Sequence, residues 1–223
     1  MKSSTLKKII RWIMVTFATI EFVGVENVPT SGGVIIATNH LSRIDIPLLL
    51  INPAREDITA LVTTKYQKYP VFKWFIETAG AIWLDRTKAD FTAFRIAADV
   101  LKSGRALGIA PEGTRSKTGK LLEGKPGTVL LAVRTGVPVV PVGLAGTERS
   151  IKDLLTFRRP HLVAKFGKPF VLPELDRDNR DKSLQQSTDE VMCRIAAELP
   201  ESYWGFYANY SRVKEILAEQ GRL

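Results

Sequence analysis

Short apolar runs, rich in β-branched residues, alternate along this chain with segments in which apolar residues recur at helical spacing. Continuous apolar runs of this length are typical of strands that are covered on both faces. Strands and helices in alternation predict an α/β fold: a single domain with a mixed, largely parallel central sheet flanked by helices. The predicted strands are residues 20–25, 33–38, 58–64, 81–84, 106–110, 137–145 and 161–167.

Two later segments have the apolar spacing of helices. Two further stretches, one polar and one aromatic, have no clear helical or strand pattern. The first helix, residues 88–102, has Phe91, Phe94, Ala98 and Leu101 on one side, and the second, residues 184–199, aligns Leu184, Val191, Met192, Ile195 and Leu199. The polar stretch 172–187 is interpreted as a surface connection that leads into the C-terminal helices. The aromatic stretch 200–220 either packs on the domain or touches lipid.

The first 19 residues predict an amphipathic helix. Its apolar side carries Leu6, Ile9, Ile10, Ile13, Met14 and Phe17, and Lys7, Lys8 and Arg11 lie mostly on the other side. The apolar run is shorter than the roughly 20 residues that a spanning helix needs. A basic amphipathic helix with a tryptophan fits the plane of an anionic bilayer, although it could also pack on the domain's own core. We therefore divide the chain into a membrane-interface helix, residues 1–19, and a main domain, residues 20–223.

The net charge of +9 indicates an anionic partner, which could be nucleic acid, a membrane surface or a phosphorylated substrate. Basic patches interleaved with aromatic residues, which nucleic-acid readers use, are not evident, so no nucleic acid is expected. The single cysteine, Cys193, excludes an internal disulfide and a cysteine-rich zinc site, and favours a reducing compartment.

Three of the apolar runs end in clusters of polar residues. The first cluster is Thr38–Asp45, the second is Asp85–Arg86, and the third is Pro111–Ser116. Ligands of open α/β sheets bind beyond the carboxyl ends of the strands, where such clusters would meet. Strands also end in polar residues wherever they reach a protein surface. Three strand ends that each carry a cluster of polar and charged residues nevertheless favour a binding site.

The first cluster contains a histidine and an aspartate that could act together. Positions five apart are about 140° out of phase on a helix, so His40 and Asp45 meet only if His40 precedes a helix that begins near Ser42 or Asp45. Ser42 is a suitable N-cap for that helix. Asp45 would then accept a hydrogen bond from one imidazole nitrogen and leave the other as a base for a substrate hydroxyl. A pair that only stabilises a loop has the same sequence pattern.

The third cluster has the residue types of a phosphate site. Gly113 permits close approach of the backbone, Thr114 and Ser116 supply hydroxyl groups, and Arg115 can bind phosphate with two hydrogen bonds. Arg86 could supply a second guanidinium, and a solvated turn is the alternative. No metal is expected, because His161 lies in a separate strand and a zinc site needs more than isolated carboxylates.

Taken together, four ordered blocks resemble the glycerophospholipid acyltransferase family, best known for the 1-acylglycerol-3-phosphate (lysophosphatidic acid) acyltransferases. The blocks are Asn39–Asp45, Gly80–Arg86, Pro111–Ser116 and Val137–Val142, and the resemblance covers roughly residues 20–170. The chain departs from the family pattern at Trp83, Leu84, Ala110 and Gly124, and none of these changes removes a polar group of the site.

The resemblance implies a role for each matching residue. His40 would be the general base and Asp45 the residue that orients it. Arg86 and Arg115 would hold the acceptor's phosphate. Glu112, Gly113 and Thr114 would shape the pocket around it. Lys125 belongs to a Lys-x-Gly that often follows the third block and would also bind the substrate. The fourth block would lie near the acyl site, but it fits plain core equally well, and core is the prediction.

The resemblance also implies the reaction. An acyl group would pass from acyl-CoA or acyl-carrier protein to the sn-2 hydroxyl of 1-acylglycerol 3-phosphate, giving phosphatidic acid for phospholipid biosynthesis without a cofactor. The expected partners are an anionic membrane surface, a lysophospholipid acceptor and an acyl thioester donor, and the expected location is the cytoplasmic face of the cell membrane. The alternatives are another acceptor (glycerol 3-phosphate, another lysophospholipid or a lyso-aminolipid) or a non-catalytic module that binds anionic lipid.

Overall fold

A computed structural model describes residues 3–87 and 90–222. Each predicted strand is present, with boundaries that differ by two residues at most. The strands are β1 (Thr19–Val23), β2 (Val34–Thr38), β3 (Thr59–Thr63), β4 (Ile82–Leu84), β5 (Ala106–Ile109), β6 (Val139–Ala145) and β7 (His161–Phe166).

The helices lie between and after these strands. They are α1 (Ser3–Phe17), α2 (Asp45–Leu50), α3 (Pro70–Thr78), α4 (Phe91–Lys102), α5 (Gly127–Thr135), α6 (Ser150–Leu155), α7 (Arg180–Ala197) and α8 (Ser211–Glu219). Short 3-10 turns occur at Val25–Asn27, Thr64–Lys68, Glu201–Tyr203 and Gly205–Tyr207. Within residues 3–87 and 90–222, no helix is long and apolar enough to cross a membrane.

The strands form one sheet in the order β1-β7-β6-β2-β5-β3-β4, and every neighbouring pair is parallel except β6 and β7. The predicted mixed, largely parallel sheet is confirmed. Strands β2 to β6 therefore end at a common edge, which we call the C-terminal edge. Because β7 is antiparallel to β6, and β1 is parallel to β7, both β7 and β1 begin at this same edge.

Helices cover both faces of the sheet, and successive residues of the central strands point alternately into the two layers. Val34 and Ile36 of β2 pack with α1, α2 and the end of α3, and Ile35 and Ala37 pack on the opposite face with α4, α5 and α7. The third and fourth helices thus lie on opposite faces. This arrangement leaves the C-terminal edge open above the ends of the central strands.

The predicted N-terminal amphipathic helix is present as α1. Its buried stripe, Leu6, Ile10 and Met14, packs on the core of the main domain. Lys7 donates to the backbone carbonyl of Glu56. Trp12, on the outer side of the helix, is 65% exposed. The helix therefore packs on the domain and still presents apolar side chains outward, and the division of the chain after residue 19 stays a prediction.

Three details of the sequence interpretation need correction or completion. The polar connection predicted at 172–187 is wrong in its second half, because α7 begins at Arg180, in a stretch of Arg, Lys, Leu and Gln that favours helix. The helix predicted at 88–102 begins at Phe91, which is 80% exposed instead of buried, and residues 88 and 89 lie outside the described residues. The aromatic C-terminal stretch packs on the domain, with Trp204 and Tyr207 buried in the core.

Candidate active site

The turn that carries His40 is fixed by the buried side chain of Asn39. Its amide nitrogen donates to the backbone carbonyl of Leu144 at 2.9 Å, and its amide oxygen accepts from the N–H of Leu144 at 2.7 Å. This pair of bonds continues the pairing of β2 with β6 beyond the last residue of β2. The backbone before His40 is therefore held on the neighbouring strand.

His40 and Asp45 form the expected hydrogen bond. The Nδ1 atom of His40 lies 2.7 Å from Oδ2 of Asp45, and the same oxygen accepts from the backbone N–H groups of Leu41 and Ser42 at 2.7 and 2.8 Å. Because the carboxylate of Asp45 can only accept, Nδ1 of His40 carries the proton and donates it in this hydrogen bond. Nε2 then has the free lone pair of a base. Helix α2 begins at Asp45, so Ser42 is not its N-cap: the Ser42 hydroxyl accepts from the N–H of Ile44 at 3.0 Å instead.

The second oxygen of Asp45 accepts a hydrogen bond from Thr147, a residue that no motif in the sequence singles out. Thr147, in the turn after β6, donates from its hydroxyl to Oδ1 of Asp45 at 2.6 Å. Thr147 and Asp45 are 1% and 2% exposed. Both carboxylate oxygens are therefore engaged, which fixes the orientation of Asp45 from two directions.

Glu112 joins the first block to the third. Its Oε1 accepts from the backbone N–H of His40 at 2.7 Å, and its Oε2 accepts from that of Leu122 at 2.9 Å. The N–H of Ser116 donates to the carbonyl of His40 at 2.8 Å. Burial raises the pKa of Glu112 to about 7, although the N–H groups of Leu122 and His40 oppose this shift. Glu112 lies behind the cavity lining described next, and its predicted contact with substrate stays a prediction.

A cavity of about 1110 Å³ opens at the C-terminal edge, above the three polar clusters. His40 lines it, together with Gly113 and Thr114 of the third block. Among the described residues, the cationic side chains in the lining are Arg43, Lys65, Arg86, Arg115, Lys117 and Lys125, against the carboxylates Asp45 and Asp85. A cavity with this excess of positive charge attracts an anionic ligand.

Arg86 and Arg115 come from different strand ends and lie close enough to affect each other's charge. Partial burial lowers the pKa of Arg86, the positive charge of Arg115 lowers it further, and Tyr66 acts in the opposite direction. Two guanidinium groups in one cavity favour a ligand with two negative charges. Both members of the predicted phosphate-binding pair therefore line the cavity, and their binding of phosphate stays a prediction.

Gly113 allows Lys125 to reach the same cavity. Its φ of 67° lies in the left-handed region that favours glycine, and an added Cβ would come within 3.1 Å of Cδ of Lys125. The N–H of Lys125 donates to the carbonyl of Pro111 at 2.8 Å, which fixes the start of its side chain. Gly113 therefore makes room for the aliphatic stem of Lys125.

The other part of the cavity is apolar. Its walls come from α2, α3 and β3, and include Leu49, Leu50, Val62, Phe75 and Ile76. The fourth block, by contrast, contributes to the core: Val139, Val140 and Val142 are fully buried in β6. Among the described residues, no group of three or more His, Cys, Asp or Glu side chains could hold a metal ion.

A protein-family model described as Acyltransferase matches residues 19–145, which include all four blocks and the whole of β6. The chain therefore belongs to the Acyltransferase family, and the resemblance drawn from the four blocks is confirmed.

Individual relatives of the chain share one description within this family. The chain is 32% identical over 180 residues to a 1-acyl-sn-glycerol-3-phosphate acyltransferase of Saccharomyces cerevisiae, which covers 78% of this chain and 58% of the relative. A protein of the same description from Borreliella burgdorferi is 32% identical over 135 residues, or 59% of this chain and 54% of the relative. The chain thus spans little more than half the length of these relatives.

A solved structure shares the fold. The 1-acyl-sn-glycerophosphate (LPA) acyltransferase PlsC from Thermotoga maritima superposes with a TM-score of 0.65 at 28% sequence identity, over 85% of this chain and 78% of that one. The single α/β domain with a mostly parallel sheet is therefore the fold of a protein described as acting on lysophosphatidic acid.

Proposed function

We propose that this protein transfers a fatty acyl group from acyl-CoA or acyl-carrier protein to the sn-2 hydroxyl of 1-acylglycerol 3-phosphate, giving phosphatidic acid for phospholipid biosynthesis. One observation carries the proposal: His40, oriented by Asp45, lines the same cavity as six cationic side chains. A base beside a phosphate site is what acylation of a phosphate-bearing alcohol needs. The relatives described as 1-acyl-sn-glycerol-3-phosphate acyltransferases support the same acceptor.

The reaction needs one base and no acyl-enzyme. Nε2 of His40 takes the proton from the acceptor hydroxyl as its oxygen attacks the carbonyl carbon of the thioester. The imidazolium, stabilised by Asp45, then returns the proton to the sulfur as the carbon–sulfur bond breaks and the thiol leaves. Arg86 and Arg115 would hold the phosphate and so place the hydroxyl beside Nε2, which turns binding energy into orientation.

The tetrahedral intermediate also needs hydrogen-bond donors for its oxyanion. Four backbone N–H groups near the base already donate within the protein: those of Leu41 and Ser42 to Asp45, that of Gly113 to Ala110 and that of Ser116 to His40. Other groups that line the cavity, which include its cationic side chains, would therefore donate to the oxyanion.

The protein would work at the cytoplasmic face of the cell membrane as a peripheral or monotopic enzyme that binds an anionic surface. The net charge of +9 and the exposed apolar side of α1, with Trp12 at its centre, support this location. The apolar part of the cavity, between α2, α3 and β3, would receive an acyl chain.

The test is thiol release from an acyl-CoA in detergent micelles, with lysophosphatidic acid added or omitted. Acceptor-dependent release is expected from the wild type and should fall by about 10²-fold or more in His40→Ala, which lacks the base. His161→Ala is the matched control, because the other histidine lies at the start of β7, beside Glu21 and outside the cavity lining. Wild-type turnover in a folded His40→Ala protein would contradict the mechanism. Absence of release with both CoA and carrier-protein donors would overturn the proposed reaction.

A further inference from the structure

The segment that follows β6 presents its apolar side chains to water. Helix α6 buries only Ser150, whereas Ile151, Leu154 and Leu155 are 55%, 42% and 77% exposed. Phe157, two residues after the helix ends, is fully exposed. Short helices on a domain surface normally turn such side chains inward, so this segment has the pattern of an interaction surface.

The backbone at Phe157 adds a second indication. Its φ of 56° lies in the left-handed region, and it is the one non-glycine residue with a positive φ in the described chain. An aromatic residue in this conformation is strained, and glycine or asparagine would hold the same turn with less strain. The turn therefore has a ring where the local backbone favours a smaller residue, and that ring contacts nothing in its own domain.

The topology places this segment at the edge where the cavity opens. It joins the end of β6 to the start of β7, and both points lie at the C-terminal edge. Phe17, the last residue of α1, is 54% exposed and lies at the same edge, because β1 begins there. Arg159 links the two elements: its guanidinium donates to the carbonyls of Val15 at 2.6 Å and Ala18 at 3.1 Å.

A second apolar projection lies farther along the same edge. Helix α3 begins shortly after β3 ends there, and its Val71 and Phe72 are 77% and 44% exposed. In the order of the sheet, β2 and β5, whose ends lead into His40 and Glu112, lie between β6 and β3. The candidate active site is therefore flanked by one exposed apolar projection on each side.

Cationic side chains accompany both projections, and two of them, Lys65 and Lys68, lie over the rings of Tyr66 and Tyr69. Lys152 and Arg158 are exposed on the α6 side, and Lys65 and Lys68 precede α3. None of these four forms a salt bridge with any residue in the described part of the chain. Apolar side chains that alternate with unpaired Lys and Arg are the pattern of a surface that inserts shallowly into an anionic leaflet.

We propose that these apolar side chains form a docking rim (Phe17, Val71, Phe72, Leu154, Leu155 and Phe157) that inserts into an anionic phospholipid leaflet on both sides of the candidate active site. The cavity would then open directly onto the lipid, and a lysophospholipid could enter without crossing water. The inference adds a membrane-binding surface to the exposed side of α1 that the proposed function uses, and it rests on that function only for the identity of the lipid acceptor.

A bilayer fits the docking rim better than a second copy of this chain. In a symmetric dimer the same surface meets itself, so the unpaired cations of one rim would face those of the other. The leaflet supplies negative charge beside an apolar layer, which complements both features of the rim.

The first experiment places an environment-sensitive fluorophore on the rim. Cys193 is fully buried, and burial raises the pKa of its thiol to about 12, so it resists labelling. Phe157→Cys thus offers one accessible thiol. Val171→Cys is the matched control: Val171 is 66% exposed, and its neighbour Phe170 pairs with the first residue of β6, at the opposite edge of the sheet.

Vesicles of phosphatidylcholine and phosphatidylglycerol in equal amounts should shift the emission of the label at 157 to shorter wavelength and leave the label at 171 unchanged. An unchanged spectrum at 157, or an equal shift at both positions, overturns the proposal. A shift at 157 that appears on concentrating the protein without vesicles also overturns it and identifies a second copy as the occupant.

Vesicle affinity gives an independent measurement. The double variant Leu155→Ser, Phe157→Ser should bind these vesicles about tenfold or more weakly in co-sedimentation. It lacks two large apolar side chains that would otherwise be buried in the leaflet. Phe157→Gly should also weaken vesicle binding while keeping or raising the melting temperature, since glycine removes the strain at this φ. Unchanged affinity in both variants would contradict the proposal.

Turnover separates this proposal from the proposed function. The double variant should keep wild-type turnover on a water-soluble, short-chain lysophosphatidic acid and lose turnover on acceptor embedded in vesicles. If the wild type transfers no acyl group at all, the proposed function fails, while the fluorescence and co-sedimentation results still decide whether the docking rim binds the leaflet.

Discussion

Thr147 donates its hydroxyl hydrogen to Oδ1 of Asp45 across 2.6 Å, and His40 contacts the other oxygen of the same carboxylate. The three side chains form a linear relay that begins on the turn after β6 and ends at Nε2 of His40. Thr147 and Asp45 are almost fully buried and Thr147 lies outside the cavity lining, so water does not readily replace the bond between them if one partner is removed. Thr147 is a positioning residue: it acts on the base through Asp45.

Thr147→Val should therefore reduce kcat without weakening acceptor binding. Valine keeps nearly the same shape but leaves a buried carboxylate oxygen without its donor, at a cost of about 1–3 kcal/mol. We expect kcat to fall about tenfold, with the KM for lysophosphatidic acid unchanged, in steady-state measurements.

Thr147→Ser is the matched control for this prediction. It restores the hydroxyl and should recover most of the lost kcat. A purely structural role for Thr147 would instead appear as equal losses of thermal stability and activity in both variants, and would contradict the positioning role.

Asp45→Asn should have a larger effect on turnover than Thr147→Val. The amide that replaces the carboxylate has one acceptor oxygen and one donor group, but the buried site supplies four donors: the His40 ring, the Thr147 hydroxyl and the N–H groups of Leu41 and Ser42. At least one donor then faces an NH₂ group, and the imidazolium loses its negative partner. We expect kcat to fall by about 10²-fold or more.

Asp99→Asn, on the exposed side of α4, is the control for the charge change and should behave as wild type. Circular dichroism would check that Asp45→Asn is folded at the assay temperature. Near wild-type kcat in a folded Asp45→Asn protein would exclude Asp45 as the residue that orients the base.

Arg86→Gln and Arg115→Gln should each raise the KM for lysophosphatidic acid by about tenfold, because each removes charge-assisted hydrogen bonds to phosphate that are worth about 1.5–3 kcal/mol. Arg86→Lys should recover little, since an ammonium cannot bind phosphate with two parallel bonds. Kinetics with an acceptor panel would measure both effects.

Arg95→Gln, an exposed charge removal on α4, controls for the change in net charge. Acceptors that lack phosphate, such as a monoacylglycerol, should be insensitive to the substitutions at Arg86 and Arg115. A KM that rises equally for acceptors with and without phosphate would contradict the role of the two arginines as a phosphate clamp.

The fold could be predicted from the sequence because its strands are continuous apolar runs with polar ends. Residues 106–110 illustrate this: a buried run stops at Ile109, and the polar third block begins two residues later. The start of α7 could not be predicted from the hydrophobic pattern, because Arg180–Ser187 is polar and its helical state depends on good helix formers.

The candidate site could be predicted where its residues are close in sequence. His40 and Asp45 are five positions apart, and a turn followed by a helix is enough to bring them together. The contacts that hold this pair in place join residues far apart in the sequence. Asn39 and Leu144 are 105 positions apart, Thr147 and Asp45 are 102 apart, and Glu112 and His40 are 72 apart. Such pairs depend on the order of the strands, which no single segment specifies.

Glu112 gives a prediction for stability against pH. Its pKa is raised from 4.5 to about 7, chiefly by burial, so the folded protein holds this proton up to a higher pH than the unfolded chain does. The contribution of Glu112 to stability is therefore fully present below pH 4.5 and is lost as the pH rises through 7. The shift corresponds to roughly 3 kcal/mol between these limits. Denaturant unfolding at a series of pH values would measure it.

Glu112→Gln removes the titration but not the shape of the side chain. The gap in unfolding free energy between wild type and this variant should widen by roughly 3 kcal/mol from pH 8 to pH 4.5, because only the wild type gains stability from the proton. At every pH the glutamine also leaves the N–H of His40 or of Leu122 facing its own NH₂ group, which adds a cost that does not depend on pH. Glu123→Gln, exposed in the same loop, should follow the wild type throughout. A constant gap across this range would mean that Glu112 does not titrate there, and that its role is confined to the two hydrogen bonds that hold His40 against the third block.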